Sequence, residues 1–121
     1  MKLISEKDFH FIPNAGRKSI LGEIVGLTAP IYRQNYSIAV THLEPGGSGE
    51  KHYHAESDEV YLFTSGHCTM RINDRIIKTE PGMVVMVEPP ELHEILPCEE
   101  EVTFYTFSIP PFKPEDYIIP E

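Results

Sequence analysis

Positive charge is what this chain of 121 residues has least of: ten Lys and Arg stand against nineteen Asp and Glu, for a net charge of −9. A nucleic-acid partner needs a basic face to meet its phosphates, and an anionic membrane surface needs a polybasic one, so the balance argues against both as partners. A small anionic substrate is not, because one metal ion or one Arg can dominate the field locally. Long hydrophobic runs are also missing. No segment approaches the roughly 20 apolar residues of a membrane-spanning helix. The opening MKLISEKDFHFIPNAGRKSI lacks the apolar run of about 7–15 residues that a secretory signal carries. A cytoplasmic location is the expectation. Cysteine is limited to Cys68 and Cys98, which form no CxxC pair and no ladder of spacings. They read as reduced thiols packed like small hydrophobes. Helical periodicity is absent too: no window repeats apolar residues at i, i+3, i+4 and i+7 over about ten residues.

What is present is a single globular domain, since one core serves chains of up to roughly 250 residues. Eleven prolines and eight glycines are scattered rather than clustered, and they cut the chain into short pieces rich in β-branched and aromatic residues. Strands are predicted near Ser19–Val25, Tyr36–Leu43, Lys51–His54, Val60–Thr64, Cys68–Ile72, Arg75–Lys78, Met83–Glu88, His93–Leu96 and Val102–Ile109. Asn73-Asp74 sits between two of them as a two-residue hairpin loop. Gly46-Gly47, Ser65-Gly66 and Pro81-Gly82 mark further turns. Short, evenly spaced strands of this kind point to an all-β sandwich, barrel or jelly roll. Residues 1–18, with Pro13 and Gly16, read as an irregular N-terminal arm. The tail 110–121 carries four prolines, cannot donate a full ladder, and is expected to run extended over the surface.

The chemistry concentrates between Gly46 and Gly66. Side chains at i and i+2 of a strand share a face, so His52 and His54 can converge on a point about 2 Å from each, as a metal ion demands. Glu59 lies five residues past His54, an odd offset that would place it on the opposite face of an unbroken strand. A polar turn across Ala55–Asp58 must therefore reset the register and bring Glu59 round to the histidines. Further on, the strand Met83–Glu88 runs into Pro89-Pro90, and His93 emerges just beyond. A site built from two hairpins closes long loops, so binding an ion contributes to folding as well as function.

These two stretches resemble the two motifs of the cupin family. The first follows G-x5-HxH-x3,4-E-x6-G at Gly46, His52, His54, Glu59 and Gly66. The second matches from Gly82 to His93, with Pro89 at one of its usual proline positions. Glu88 replaces the first proline, Pro90 a glycine, and Pro97 a frequent Asn, departures that bear on turn geometry rather than on the ligand. The resemblance covers about residues 37–109 and implies a single jelly-roll barrel of short antiparallel strands. It implies His52, His54, Glu59 and His93 as metal ligands, and a homodimer as the assembly. Three imidazoles and one carboxylate suit Fe, Mn, Ni, Co or Zn better than Ca or Mg. The alternative is a relic site or polar pocket with no ion.

By strand parity Tyr61 and Phe63 point inward with Glu59 and line the pocket or pack the core. His42, on the strand before the glycine turn, and Tyr105 with Phe107, or else Phe104, on the last strand, are further candidate pocket residues. Which side of Met83–Glu88 faces inward is left open by parity alone. Such a centre suits Lewis-acid isomerisation, epimerisation or elimination, or Fe-dependent dioxygenation, of a sugar or oxo acid. No individual catalytic residue is assigned. A phosphosugar would need Lys or Arg inside, whereas Lys51, Arg71 and Arg75 sit in turns or face away. The competing reading is a barrel that binds a small molecule without turning it over.

Overall fold

The computed structural model describes residues 1–121. Eleven strands follow one another: β1 (His10–Asn14), β2 (Ser19–Gly26), β3 (Ile31–Tyr32), β4 (Ser37–Leu43), β5 (Gly49–His52), β6 (Asp58–Ser65), β7 (Cys68–Ile72), β8 (Arg75–Thr79), β9 (Val84–Val87), β10 (His93–Ile95) and β11 (Val102–Ile109). Three single turns of 3-10 helix, at Glu6–Asp8, Ala15–Arg17 and Pro114–Asp116, are the only helical segments. No helix is long and apolar enough to cross a membrane. The fold is an all-β jelly roll of two sheets. One runs β1-β2-β4-β11-β6-β9 with β3 added beside β2, and the other runs β5-β10-β7-β8. All pairings are antiparallel except β2 with β3.

The ladders do not close into a barrel. Pro81, Pro89 and Pro90 lack the N–H a continuing ladder needs, and they flank the segment where the chain crosses between sheets. The arm also departs from expectation: residues 10–14 are a strand, paired with β2 from His10↔Glu23 to Asn14↔Ser19. Pro13 is tolerated because β1 is an edge strand with no neighbour on its far side.

Register fixes what faces inward. Ile12, Leu21, Thr41, Phe104 and Phe63 lie in one row across the larger sheet, and Val85 pairs with Tyr61 on the same face. Cys68, Met70 and Ile72 oppose them from the smaller one, and the two sets meet in a core where Phe63 and Met70 have no exposure. Val85 and Val87 are therefore the inward side of β9, leaving Val84 and Met86 exposed. Both cysteines are buried and unpaired. Gly66 adopts φ +78°, and a Cβ there would overlap the Glu101 carbonyl. Gly82, at φ +92°, has open space where its Cβ would be.

The tail does more than run extended. Tyr53 and Ile118 exchange two backbone hydrogen bonds, each 3.0 Å. The turn between them and the last strand buries Asp116, which is 4% exposed.

Candidate metal centre

β5 and β10 are neighbours in the smaller sheet, and His52 lies directly opposite His93 in their ladder. Their ring centroids are 4.2 Å apart. His54 follows two residues after His52, its ring 4.9 Å from that of His52 and 5.6 Å from that of His93. Glu59 reaches in from β6 of the facing sheet. The register reset that the odd His54–Glu59 offset requires is held by Asp116. Its carboxylate accepts from the backbone N–H groups of Ala55 (2.8 Å), Glu56 (3.1 Å) and Ser57 (3.1 Å). A carboxylate receiving several N–H donors is favoured in its charged form. Burial pushes the Asp116 carboxyl upward, but those bonds outweigh it and hold the pKa below its ordinary value.

One ligand atom from each of His52, His54, Glu59 and His93 lies within 4.8 Å of all the others, and all four residues are buried. Each imidazole is anchored through Nδ1 to a main-chain carbonyl: His52 to Glu50 at 2.7 Å, His54 to Asp116 at 2.7 Å, His93 to Glu91 at 2.9 Å. A carbonyl only accepts, so Nδ1 carries the hydrogen and Nε2 of the neutral ring presents a lone pair. Second partners of this kind orient imidazole ligands in metal sites.

Hydrogen bonding among the four groups does not satisfy them. Glu59 Oε1 lies 3.0 Å from His93 Nε2 and 3.4 Å from His54 Nε2, and His54 Nε2 is buried with no hydrogen-bond partner. Native proteins seldom leave such an atom unpaired. A cation would satisfy three lone pairs and a carboxylate together. The residues therefore fit a divalent transition ion bound through three imidazole nitrogens and one carboxylate oxygen.

The electrostatics of His52 and Glu59 agree with that fit, while His54 shifts the other way. Burial, reinforced by the neighbouring His93, lowers the His52 pKa to about 4. Burial alone would raise the Glu59 carboxyl, yet the His54 and His93 rings outweigh it and hold it well below the usual carboxylate range. Burial pulls His54 down, but Glu59 more than compensates and leaves it above its ordinary value. The Tyr61 phenol is raised by burial and then by the Glu59 charge, so it stays protonated.

His52, His54 and Glu59 border a cavity of about 350 Å³. Tyr61 lines it as well, while Phe63 packs behind Tyr61 at a centroid distance of 6.1 Å and does not line it. His42 and Tyr105 do not reach this cavity. They lie on the outer face of the larger sheet, opposite in sense to Thr41 and Phe104. His42 meets Thr103 Oγ1 at 2.9 Å and Glu6 at 3.3 Å, and Tyr105 pairs with Val40 and Leu62. Strand parity sets this, because inward positions on β4 are odd-numbered and those on β11 even-numbered.

Three further residues belong to the site. Asp116 positions His54. Tyr117 stacks on His52, 4.1 Å between centroids and 18° between planes, and its hydroxyl donates to Glu50 at 2.9 Å. Arg17, from the N-terminal arm, lines the cavity. Asp116 is 62 residues from its imidazole partner, and no local spacing reveals it. Lys51, Arg71 and Arg75 are exposed.

The sequence profile of the family described as "Cupin domain" matches residues 39–109. No curated protein matches the chain by sequence. Solved structures with a similar fold include KdgF from Halomonas sp., with 10% identity and a TM-score of 0.75 over 90% of this chain and 94% of that one. A Streptomyces PAC13 structure with uridine has 13% identity and a TM-score of 0.73, covering 96% and 91% of the two chains. A chain from the crystal structures of the DMSP lyases RdDddP and RnDddQII has 16% identity and a TM-score of 0.73, covering 84% of this chain. This chain spans 56% of that one's length.

Proposed function

Because the chain belongs to the cupin domain family, we propose that it is a metal-dependent enzyme acting on a small molecule by isomerase- or lyase-type chemistry. The observation that carries this reading is the set of three imidazoles, each tied at Nδ1 to a backbone carbonyl, turning Nε2 towards Glu59 beside a cavity. A bound divalent transition ion would supply Lewis acidity, polarising a substrate oxygen. His52, His54, Glu59 and His93 would hold it. The apolar walls around Leu21, Phe104 and Phe112 exclude water from the bound molecule. Tyr61 and Tyr117, both held protonated, donate hydrogen bonds rather than act as bases. The fold shared with DMSP lyases supports a lyase-type reaction in particular.

The test is metal analysis of protein purified without chelators, followed by turnover assays. A panel of sugars and oxo acids is screened with Fe, Mn, Ni, Co and Zn, with dioxygen present and absent so that dioxygenation is scored too. Conversion of any of them supports an enzyme. A non-catalytic binding barrel is the second reading, favoured by the engagement of the lining carboxylates: Glu50 accepts from Tyr117, and Glu23 pairs with His10 and Thr28. Binding without conversion across the panel would select it.

A homodimer is proposed on the exposed apolar side of edge strand β9, where Val84 and Met86 are 60% and 54% exposed. A monomer by light scattering would count against it. The two unpaired buried thiols support a cytoplasmic location.

A further inference from the structure

Of the residues lining the cavity, Arg17 is the only Lys or Arg. Three hydrogen bonds hold it, two through its backbone and one through its side chain. Its N–H donates to Asn14 Oδ1 at 3.2 Å, its carbonyl accepts from the Ser48 N–H at 3.0 Å, and Nη1 donates to Ser48 Oγ at 3.2 Å. No other protein acceptor takes its remaining guanidinium donors, and no carboxylate lies within ion-pair distance of it. The four carboxylates that share the cavity are each engaged elsewhere. Glu59 faces the imidazoles, Glu23 takes His10 at 2.7 Å, Glu50 takes the Tyr117 hydroxyl, and Glu94 lies 3.8 Å from Arg71. The cavity therefore holds one positive group without a carboxylate partner on an anchored turn, with apolar wall supplied by residues such as Leu21, Val25, Ile38, Phe104 and Phe112.

A planar guanidinium with free donors matches a carboxylate in a two-pronged arrangement. The geometry points to a small carboxylic acid with an apolar body as the occupant of this cavity, its carboxylate paired with Arg17 and its far end turned towards the imidazole cluster. This rests on the metal-dependent reading above for what happens at the far end, but not for the pairing with Arg17. The cavity of about 350 Å³ lies at the small end of the range for ligand sites, roughly 300–1,000 Å³. A phosphate is a poorer match, since a dianion facing a single Arg leaves one charge uncompensated.

The test uses hexanoate and its neutral counterpart hexanamide as probes, titrated by calorimetry or NMR into the full chain, both metal-stripped and zinc-loaded. Removing the ion separates pairing with Arg17 from direct ligation of metal by the probe. A charge-assisted pair predicts that stripped protein binds hexanoate about tenfold more tightly than hexanamide. Arg17→Gln should abolish that preference while leaving zinc content unchanged. Arg17→Lys should restore part of it, and keeps the test valid if the Gln variant folds poorly. Equal binding of the two probes, binding of neither, or an undiminished preference in Arg17→Gln would overturn the inference. Failure of the metal reading would show separately, as zinc that does not bind, with the hexanoate preference still measurable.

Discussion

Nε2 of His93 and Oε1 of Glu59 lie 3.0 Å apart, although 34 residues separate them and they belong to different sheets. The contact joins the two halves of the sandwich at the point where an ion would sit. Its electrostatics also give the clearest experimental handle on the site.

Glu59→Gln keeps the shape of the side chain and removes its charge. Metal content should fall below about 0.2 ion per chain in the variant, from near stoichiometric in the parent, since ligation requires the carboxylate. The far-ultraviolet circular dichroism of a β-protein should persist, because the core of Phe63, Met70 and Val102 is untouched. Elemental analysis of both proteins decides the matter, and a variant that retains a full complement of ion would remove Glu59 from the ligand set.

Acid should weaken the metal-stripped protein in a definable window. His52 titrates near 4 in the folded chain against an ordinary 6.5, so between those values the unfolded chain binds the extra proton and the native one does not. Stability from this residue is complete above about pH 6.5 and is lost as pH falls towards 4. His54 is raised instead; its contribution is full below 6.5 and so stays flat across the same window. Urea midpoints measured across that range should fall on acidification, and His52→Gln should flatten the slope. A slope unchanged in that variant would contradict the assignment.

Asp116→Ala removes the acceptor for the N–H groups of Ala55, Glu56 and Ser57. Leaving them without a charged partner should cost about 1.5–3 kcal/mol. Because these bonds hold the turn between His54 and Glu59, metal affinity should drop with stability. Asp116→Asn, with one acceptor oxygen left, should fall between. The measurements are urea denaturation and competition for zinc against a chelating dye. Undiminished zinc affinity in Asp116→Ala would mean that the turn holds its shape without the carboxylate.

Gly66→Ala and Gly82→Ala form a matched pair. Both positions have positive φ, so both pay the left-handed penalty, but only at Gly66 does the new methyl group meet backbone. The Gly66 variant should lose about 2 kcal/mol or more, and the Gly82 variant about 1 kcal/mol. Equal losses would mean that the Glu101 segment moves aside freely.

Much of the centre was legible because its signals are local. His52 and His54 share a strand face two residues apart, and Glu59 needs only one turn to rejoin them. The hairpin at Asn73-Asp74 follows from turn chemistry alone, with Asn73 at φ 52°. What stayed hidden is long-range. Strand β1 contains Pro13, which argues against a strand unless its edge position is known. From β4 and β11 alone, His42 and Tyr105 read as pocket residues, with Phe104 as the alternative to Tyr105; pairing with β2, β11 and β6 turns the first two outward and leaves Phe104 inside. Arg17 and Asp116 come from opposite ends of the chain, and their neighbours in space are set by where the sheets bring Ser48 and Ala55.

The three carbonyl anchors carry a last consequence. With every imidazole already clamped in its coordinating tautomer and pose, the cage is assembled in advance of its guest. Uptake of an ion would then demand little rearrangement of the chain, since the ring of Tyr117 already braces His52 from its flat side.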